Sequence, residues 1–300
     1  MDSSQIIGVD LGGTQIKFGL FDSQSGILVE QLHTPTLDGQ TINGQPAWLE
    51  TIRAQLEKWS PKRSSPIGLA APGLTSRDGS SIDFMPGRMI GLQGLNWTKA
   101  LDWQTPIQII NDAHAALLGE IWMGSAKACN YVVLLTLGTG VGGAAFIDGR
   151  LIRGAIGRAG HFGHLSLDPF GEKNFTNTPG SLDSALGNAT LPERSGGRFD
   201  NLKDLIQAAS SGDTEAQNVL KISLRNLAAG MTSLINAFDP EIFLLVGGPT
   251  NAGDQLLAPL KAELDTIEWR PGDHRVDVRI GSLGNWAGTY GAAYQAHSQD

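Results

Sequence analysis

The first segment of this sequence whose residues could bind a ligand is a glycine turn next to an aspartate. Asp10-Leu-Gly-Gly-Thr14 lies between two apolar runs, which predict two strands joined by a hairpin turn. Gly12 and Gly13 permit positive φ and leave backbone N–H groups open to an anion, and Asp10 could hold a divalent cation. The combination suits a metal-bound nucleotide, although a simple turn explains two adjacent glycines equally well.

The same pattern recurs near the middle of the chain. A strand predicted over 131–137 runs into Gly138-Thr-Gly-Val-Gly-Gly143, and 144–147 returns as a strand before the Asp148-Gly149 turn. The chain therefore contains one supersecondary unit twice. Two such units facing each other would present two glycine-rich turns to one nucleotide.

Gly138, Gly140 and Gly143 also match the G-x-G-x-x-G spacing of dinucleotide sites. That motif opens a helix, whereas the residues after Gly143 predict a strand and a hairpin, so a Rossmann-type site is disfavoured. No G-x-x-x-x-G-K-[ST] segment occurs in the sequence, which excludes a P-loop. The nucleotide hypothesis therefore depends on the two turns as a pair.

Asn111-Asp112 marks the point where a strand predicted over 106–110 meets a helix predicted over 113–123. Asn and Asp are favourable helix N-caps, which accounts for one of them without any function. A carboxylate at such a junction could instead take a proton from a substrate hydroxyl. Taken alone the pair favours the cap, and the second glycine turn strengthens the catalytic interpretation.

Two more segments could contribute to a site. Gly247-Gly248 follows a strand predicted over 242–246. Its backbone could lie against a nucleotide base or ribose, or the two glycines could simply turn the chain into a helix. His161 and His164 are spaced closely enough to be half of a metal site. For each segment, a functional and a purely structural interpretation remain open at this point.

Alternating strands and helices must position these residues. A three-strand meander is predicted over 5–33, a short strand follows Pro66, and a further strand is predicted over 276–280. Residues 75–96 and 165–192 predict loops. Helices are predicted over 46–59, 97–103, 113–123, 200–209, 215–238, from about 253, and over 285–297.

Composition describes an ordinary globular protein of 300 residues, long enough for two lobes. A formal net charge of -8 argues against nucleic-acid or anionic-membrane partners. Cys129 is the single cysteine, so neither an internal disulfide nor a cysteine-based zinc site can form. Because no signal-like or membrane-length apolar segment is present, we expect a cytoplasmic protein without a membrane partner.

The ordered motifs resemble those of the ROK family of bacterial sugar kinases and regulators, over almost the whole chain. They are Asp10-Leu-Gly-Gly-Thr14, Asn111-Asp112, Leu137-Gly-Thr-Gly-Val-Gly142, Gly160-x-x-Gly163-His164 and Val246-Gly-Gly248. The resemblance implies an α/β, two-lobed actin-like ATPase (ribonuclease H-like) fold around a cleft, with a duplicated β-meander plus helices. It places a small N-terminal lobe at 1–111 plus about 284–300, and a large C-terminal lobe at 112–283.

Functional residues of the family map onto matching positions of this sequence. Asp112 matches its catalytic base, and Asp10 is expected to hold the magnesium ion that accompanies ATP. The nucleotide-binding positions implied by the resemblance are Gly12, Gly13, Thr14, Gly138, Thr139, Gly140, Gly142, Gly247 and Gly248. The implied sugar-binding positions are Asn111, Asp112, His161, His164 and Asp183.

Two departures from the family concern the sugar. Its Gly-Glu-x-Gly-His segment is Gly160-His161-Phe-Gly-His164 here, so an imidazole replaces a carboxylate. Its cysteine-rich zinc loop, which ends in Gly-Cys-x-Glu, is Gly180-Ser-Leu-Asp183 here, so we expect no structural zinc and a shorter acid. The identity of the sugar is therefore open.

The resemblance favours an ATP-dependent kinase that phosphorylates a hydroxyl of a hexose or related sugar, acting as a homodimer. The alternative is a catalytically impaired sugar- or nucleotide-binding sensor, which the two departures motivate. A third reading, an actin-like ATPase acting on protein, is disfavoured because the Asn111-Asp112 and Gly160–His164 motifs point to a small polyol. No N-terminal helix-turn-helix precedes the first strand, which disfavours the repressor branch.

Overall fold

The computed structural model of the protein describes residues 5–297 and separates into two units, each built on a five-stranded sheet. Unit 1 contains the chain through Ala128, Arg153–Arg158 and the residues from Trp286 onward. Unit 2 contains Cys129–Ile152 and Ala159–Asn285. The predicted fold class, a mixed α/β chain with a duplicated meander, is confirmed.

The strands of unit 1 follow the apolar runs of the first third of the chain. They are β1 (Gln5–Leu11), β2 (Gln15–Asp22), β3 (Leu28–Pro35), β4 (Thr41–Ile42), β5 (Gln45–Pro46), β6 (Ile67–Ala71), β7 (Leu74–Thr75), β8 (Ile82–Phe84) and β9 (Gln108–Asn111). The large sheet has the order β3-β2-β1-β6-β9. Because β1, β6 and β9 are parallel, Asp10, the turn after Ala71, and Asn111 meet at one edge of the sheet.

Helices of unit 1 are α1 (Ala47–Trp59), α2 (Trp97–Ala100), α3 (Asp112–Met123) and α9 (Ala287–His297). Helices α3 and α9 pack so closely that a Cβ built on Gly291 would lie 1.7 Å from the carbonyl oxygen of Ala115. Residues 112–128 therefore belong to unit 1, whereas the sequence boundary was drawn after Asn111. The assignment of the two lobes stays a prediction.

Unit 2 repeats the sheet of unit 1. Its strands are β10 (Val132–Leu137), β11 (Val141–Ile147), β12 (Arg150–Leu151), β13 (Ile242–Val246) and β14 (Asp277–Ile280). The order β12-β11-β10-β13-β14 reproduces the order and the strand directions of unit 1. The carboxyl ends of β10 and β13 bring the second glycine turn and Gly247 to one edge.

The sheet of unit 2 is covered by helices with long apolar stripes. They are α4 (Leu182–Leu186), α5 (Leu191–Arg194), α6 (Leu202–Ser210), α7 (Thr214–Phe238) and α8 (Asp254–Leu264). The core of this unit is formed by Leu135, Leu227, Met231 and Leu245, all fully buried, with their neighbours. In the chain from 5 to 297, no helix combines the length and apolarity that a membrane crossing requires.

Short elements are where the structure departs from the expected pattern. Residues 75–96 are predicted as a loop. In the structure they contain the end of β7, all of β8, and a turn that is held by backbone hydrogen bonds of the 3-10 type. Residues 165–192 were also predicted as loop and include α4 and the start of α5. A five-residue helix presents too few apolar positions for a helical period to be visible.

Candidate active site

The first glycine turn, residues 12–14, has two of its carbonyl oxygens hydrogen bonded and two of its amides free. The carbonyl oxygens of Gly12 and Thr14 accept hydrogen bonds from the Thr36 hydroxyl (2.6 Å) and the Thr36 amide (2.9 Å). The amides of Gly13 and Thr14 have no acceptor among residues 5–297. Successive free amides on an exposed turn form an anion-binding surface.

The junction of β9 and α3 separates the roles of its two polar residues. Asn111 is the N-cap of α3: its Oδ1 accepts from the amides of Ala113 (3.0 Å) and His114 (3.3 Å). Its Nδ2 donates to the carbonyl oxygen of Gly73 at 3.1 Å. Asn111 thus has the capping role that the sequence suggests for one of the pair, while Asp112 Oδ1 accepts the Ala113 amide at 2.8 Å.

Asp112 is crowded by protein on one side and open to solvent on the other. Burial raises the pKa of Asp112 above its ordinary value, while the Ala113 amide and the Arg88 charge act in the opposite direction. A carboxylate that binds protons more readily than usual yet reaches solvent has the properties of a general base.

Asp10 lies near Asp112 in unit 1. Burial also raises the pKa of Asp10; Lys17 opposes the shift and the negative charge of Asp112 adds to it. Lys17 is directly opposite Asp10 in the β1–β2 register, and its Nζ is 3.4 Å from Asp10 Oδ2. The structure therefore brings the first turn, Asp10 and Asp112 together.

The second glycine turn, residues 138–140, repeats this arrangement in unit 2. The carbonyl oxygens of Gly138 and Thr139 accept from the amides of Asn188 (3.0 Å) and Ala189 (2.9 Å). The amides of Thr139 and Gly140 have no acceptor within the described chain. Gly142, the remaining predicted position, donates its amide to Thr136 Oγ1 at 3.0 Å. Both turns are thus fixed by their carbonyl oxygens and expose two amides.

Gly247 joins the second turn through close backbone contact. Its φ of 107° lies outside the range that side chains favour, and a Cβ there would be 2.1 Å from the Leu137 carbonyl oxygen. Gly248 then begins a short 3-10 turn. A cavity of about 400 Å³ near the end of this turn is lined by Lys203, Gln207, Asn251, Ala252, Asp254 and Gln255.

Three predicted sugar-binding residues lie together in unit 2. The rings of His161 and His164 are parallel, with centroids 6.5 Å apart. A Cβ built on Gly163, between them in the chain, would lie 3.4 Å from Cβ of Asp183. Asp183 Oδ1 accepts the amide of Val141 at 2.6 Å, so one oxygen of this carboxylate anchors the strand after the second turn.

A polar network determines how His164 presents its ring. Asn174 Oδ1 accepts from the amides of Thr176 and Thr178, both at 3.0 Å, which fixes the orientation of the amide group. Its Nδ2 then faces Ser181 Oγ (3.1 Å) and His164 Nδ1 (3.4 Å). Thr176 Oγ1 lies 3.3 Å from the same nitrogen. The Asn174 N–H group favours the tautomer of the neutral ring that carries its proton on Nε2, from which the ring can donate.

The ROK family model matches residues 6–299 of this chain. The chain belongs to the ROK family. Among its relatives, the glucokinase of Streptomyces coelicolor is 31% identical, over 98% of this chain and 98% of the relative. A ROK glucokinase from Streptomyces griseus, solved with glucose and AMPPNP, is 28% identical with a TM-score of 0.78, over 98% and 99% of the two chains. The predicted family and the actin-like ATPase fold are confirmed.

Regulators of the same family are also similar. The transcriptional regulator NagC of Escherichia coli is 26% identical over 87% of this chain, and the match spans 67% of NagC. The family therefore does not by itself separate a kinase from a ligand-binding regulator.

The segment that corresponds to the zinc loop of other ROK proteins is held here by hydrogen bonds. Asn174 and Ser181 connect the loop to His164 and to the start of α4, where Ser181 caps the Ser184 amide. Within residues 5–297, no three His, Cys, Asp or Glu side chains are grouped to hold a metal ion. His161 and His164 thus have no third ligand in that part of the chain.

Sequence reasoning missed three residues of these clusters. Lys17 could have been found, because a hairpin turn at 12–14 sets the register that pairs it with Asp10. Asn174 and Arg88 lie in aperiodic loops, and no local pattern connects them to the site. Their positions depend on tertiary structure.

Proposed function

We propose that this ROK protein is an ATP-dependent sugar kinase that transfers the γ-phosphate of ATP to a hydroxyl of a hexose. The observation that carries the proposal is the cluster in unit 1, where a desolvated carboxylate, Asp112, accompanies a turn with free amides at Gly13 and Thr14. A proton acceptor beside a phosphate-binding surface is what transfer to a hydroxyl requires. The glucokinase relatives support this class of enzyme, and glucose is the first sugar to test.

In the proposed reaction a sugar hydroxyl oxygen attacks the γ-phosphorus of ATP. A new P–O bond forms to the sugar, the bond from the γ-phosphorus to the bridging oxygen breaks, and ADP leaves with that electron pair. Asp112 accepts the hydroxyl proton. The free amides of both glycine turns donate to phosphate oxygens and stabilise the charge that they carry during transfer.

The donor chemistry at Asp10 fits a magnesium ion. Mg²⁺ prefers oxygen ligands and usually keeps several waters besides one or two carboxylates and the phosphates of its nucleotide. Asp10 offers such a carboxylate at the end of β1, next to the first turn. Bound there, the ion would neutralise phosphate charge, and the Lys17 ammonium would balance the charge of Asp10.

Sugar recognition is assigned to the residues predicted for it. His164 donates from Nε2 to a hydroxyl oxygen, and Asn111 is assigned to a hydroxyl beside Asp112, whose pKa a hydrogen bond from the Asn111 side chain lowers. Asp183 retains Oδ2 as an acceptor. His161 stands where other family members have a carboxylate, which changes the hydrogen bonding offered at that position.

The cavity at the end of the 3-10 turn that Gly248 begins is proposed to take the adenine base. Its wall offers the side-chain amides of Gln207, Asn251 and Gln255, which can pair with the ring nitrogens and the exocyclic amine. Substituting Asn251 by Leu should raise KM for ATP while leaving KM for the sugar unchanged.

A panel of hexoses, N-acetylated hexosamines and amino sugars with ATP and Mg²⁺ tests the function. We expect sugar-dependent ADP formation with at least one of them, and a product heavier by one phosphoryl group in the mass spectrum. Asp112→Asn should remove this activity while nucleotide binding persists. Absence of a phosphorylated sugar across the panel would overturn the proposal.

A sugar-binding sensor that does not transfer phosphate is the second candidate. His161 in place of a carboxylate and the partly occupied Asp183 motivate it, and the regulator relatives give it precedent. Calorimetric binding of a sugar together with no phosphorylated product would favour the sensor. The expected homodimer and cytoplasmic location remain predictions, and light scattering at twice the 31.8 kDa chain mass would support the dimer.

A further inference from the structure

Arg88 occupies an anchored position in the long loop between β8 and α2. The next residue, Met89, is 1% exposed and packs into the core of unit 1. Met89 has φ of 55°, a left-handed conformation that a non-glycine residue adopts only where its surroundings impose it. Its amide donates to Asp38 Oδ2 at 3.2 Å, and its carbonyl oxygen accepts from the Leu92 amide at 2.9 Å. Arg88 therefore extends from a fixed backbone.

The Arg88 guanidinium lies beside the first glycine turn and close to the proposed base. A Cβ built on Gly13 would be 3.6 Å from Arg88 Nη1. The Arg88 charge is also one of the causes that lower the pKa of Asp112. The Arg88 guanidinium thus lies near Gly13 and within electrostatic range of the Asp112 carboxylate.

No hydrogen bond or ion pair occupies the Arg88 guanidinium within residues 5–297, and the side chain is exposed. Two other arginines of unit 1 are paired with carboxylates. Arg53 is paired with Glu50, and Arg63 with Glu57 and Asp102. An arginine with five free donors beside two elements of a phosphotransfer site is available to an anionic ligand.

We propose that Arg88 is a catalytic residue that binds the transferring γ-phosphoryl group. The inference rests on the proposed kinase function. The γ-phosphorus must come within bonding distance of the hydroxyl oxygen whose proton Asp112 accepts. A cation that lies near Gly13 and acts on Asp112 can therefore reach the γ-phosphoryl oxygens. A planar guanidinium donates to two of these oxygens at once.

Arg88 has two roles in the proposed reaction. Its donors stabilise the charge on the phosphoryl oxygens while the bond to the sugar forms and the bond to ADP breaks. Its charge also favours the ionised form of Asp112, which burial disfavours, so that the base can accept the hydroxyl proton. Both effects are larger during transfer than in substrate binding, so the residue should affect kcat more than KM.

The test compares Arg88→Ala and Arg88→Lys with Arg77→Ala, which removes the same charge from another exposed loop of unit 1. We expect kcat to fall on the order of 10²-fold or more in Arg88→Ala, with KM for the sugar changed little. Arg88→Lys should recover only part of the loss, because an ammonium lacks the paired donors. Arg77→Ala should match the wild type.

Rescue of kcat by guanidine hydrochloride at low, non-denaturing concentration distinguishes a chemical role of Arg88 from a merely structural one. The added salt should restore part of kcat in Arg88→Ala and none in Arg88→Lys, with an unchanged melting temperature in all variants. Retention of kcat within about twofold in Arg88→Ala, or a loss without rescue that accompanies a lower melting temperature, would overturn the assignment. Failure of the wild type to phosphorylate any sugar would instead overturn the proposed function.

Discussion

At the scale of single residues, desolvation of Asp112 has opposite consequences for catalysis and for folding. A carboxyl whose pKa is raised in the folded chain stabilises the fold below its unfolded pKa, and this contribution is lost as pH rises through the folded pKa. The ionised carboxylate at neutral pH therefore stabilises the fold less than the protonated form would, and the exposure of Asp112 to solvent reduces this effect.

Asp112→Asn should separate the two consequences. We expect kcat to fall by about 10²-fold or more, because an amide cannot accept the hydroxyl proton. The melting temperature at pH 7 should stay equal or rise, because the desolvated charge is gone. Asp78→Asn is the matched control: its carboxyl is exposed, hydrogen bonds from Ser76 and Ser80 lower its pKa, and its loss should leave kcat unchanged. Full turnover by Asp112→Asn would show that another group is the base.

The pH dependence of turnover follows from the same shift. A general base acts when deprotonated, so kcat should fall as pH decreases through the pKa of Asp112. Because burial raises that pKa, the acid limb should lie above the ordinary aspartate value of 3.8. Asp10 shifts in the same direction and interacts with Asp112, so the limb reports both groups. A kcat profile with saturating substrates that stays level down to about pH 4 would contradict this.

At the scale of elements, hydrogen bonds hold the loop from 165 to 181. Asn174 holds the loop through its oxygen and favours one tautomer of His164 through its nitrogen. Neither role is visible in the sequence, since both partners are found only after folding. The sequence does show that cysteines are missing there.

Asn174→Asp tests the second role alone. An aspartate keeps the oxygen that accepts from the Thr176 and Thr178 amides, but it removes the donor to His164 Nδ1. The neutral ring should then carry its proton on Nδ1, and KM for the sugar should rise about 10-fold, with KM for ATP unchanged. Nitrogen NMR shifts of His164 report the tautomer, and Asn174→Ala serves as the variant that loses both roles. An unchanged tautomer and KM in Asn174→Asp would refute the positioning role.

Elements with a clear hydrophobic pattern were predictable and short polar ones were not. The buried runs at β1, β10 and β13 and the long stripe of α7 predict their own structure, because burial on one face requires the pattern. A cap by one of Asn111 and Asp112 was also predictable, although the sequence does not say which of the two it is. Helix α4 and the contact of Asp183 with Val141 could not be, since they depend on packing between distant segments.

At the scale of the whole molecule, the duplicated unit was the most informative feature of the sequence. The repeat of strand, glycine turn and strand predicts one supersecondary unit twice, and the structure contains two five-stranded sheets of corresponding strand order. Where one unit ends was less predictable. Helix α3 joins unit 1 because α9, from the far end of the chain, packs on it through Gly291.

Removal of metal ions should affect activity without affecting stability. Cys129 is the only cysteine, and Asn174 holds the loop that binds zinc in other ROK proteins. Chelators lower the stability of proteins that depend on a structural zinc ion. Because we expect no structural zinc in this protein, treatment with EDTA followed by dialysis should leave its melting temperature unchanged. Turnover should vanish and return with Mg²⁺ alone. A fall in melting temperature reversed only by Zn²⁺ would contradict the account.

Transfer of labelled phosphate tests the central claim most directly. ATP labelled with ¹⁸O on the γ-phosphate is incubated with the wild-type chain, Mg²⁺ and glucose or the best sugar of the panel, and the products are weighed by mass spectrometry. The three labelled oxygens should appear on the sugar phosphate in step with the formation of ADP, and Asp112→Asn should form no labelled sugar phosphate. Label recovered in inorganic phosphate alone, or no ADP despite sugar binding, would show that the protein does not transfer phosphate to the sugar.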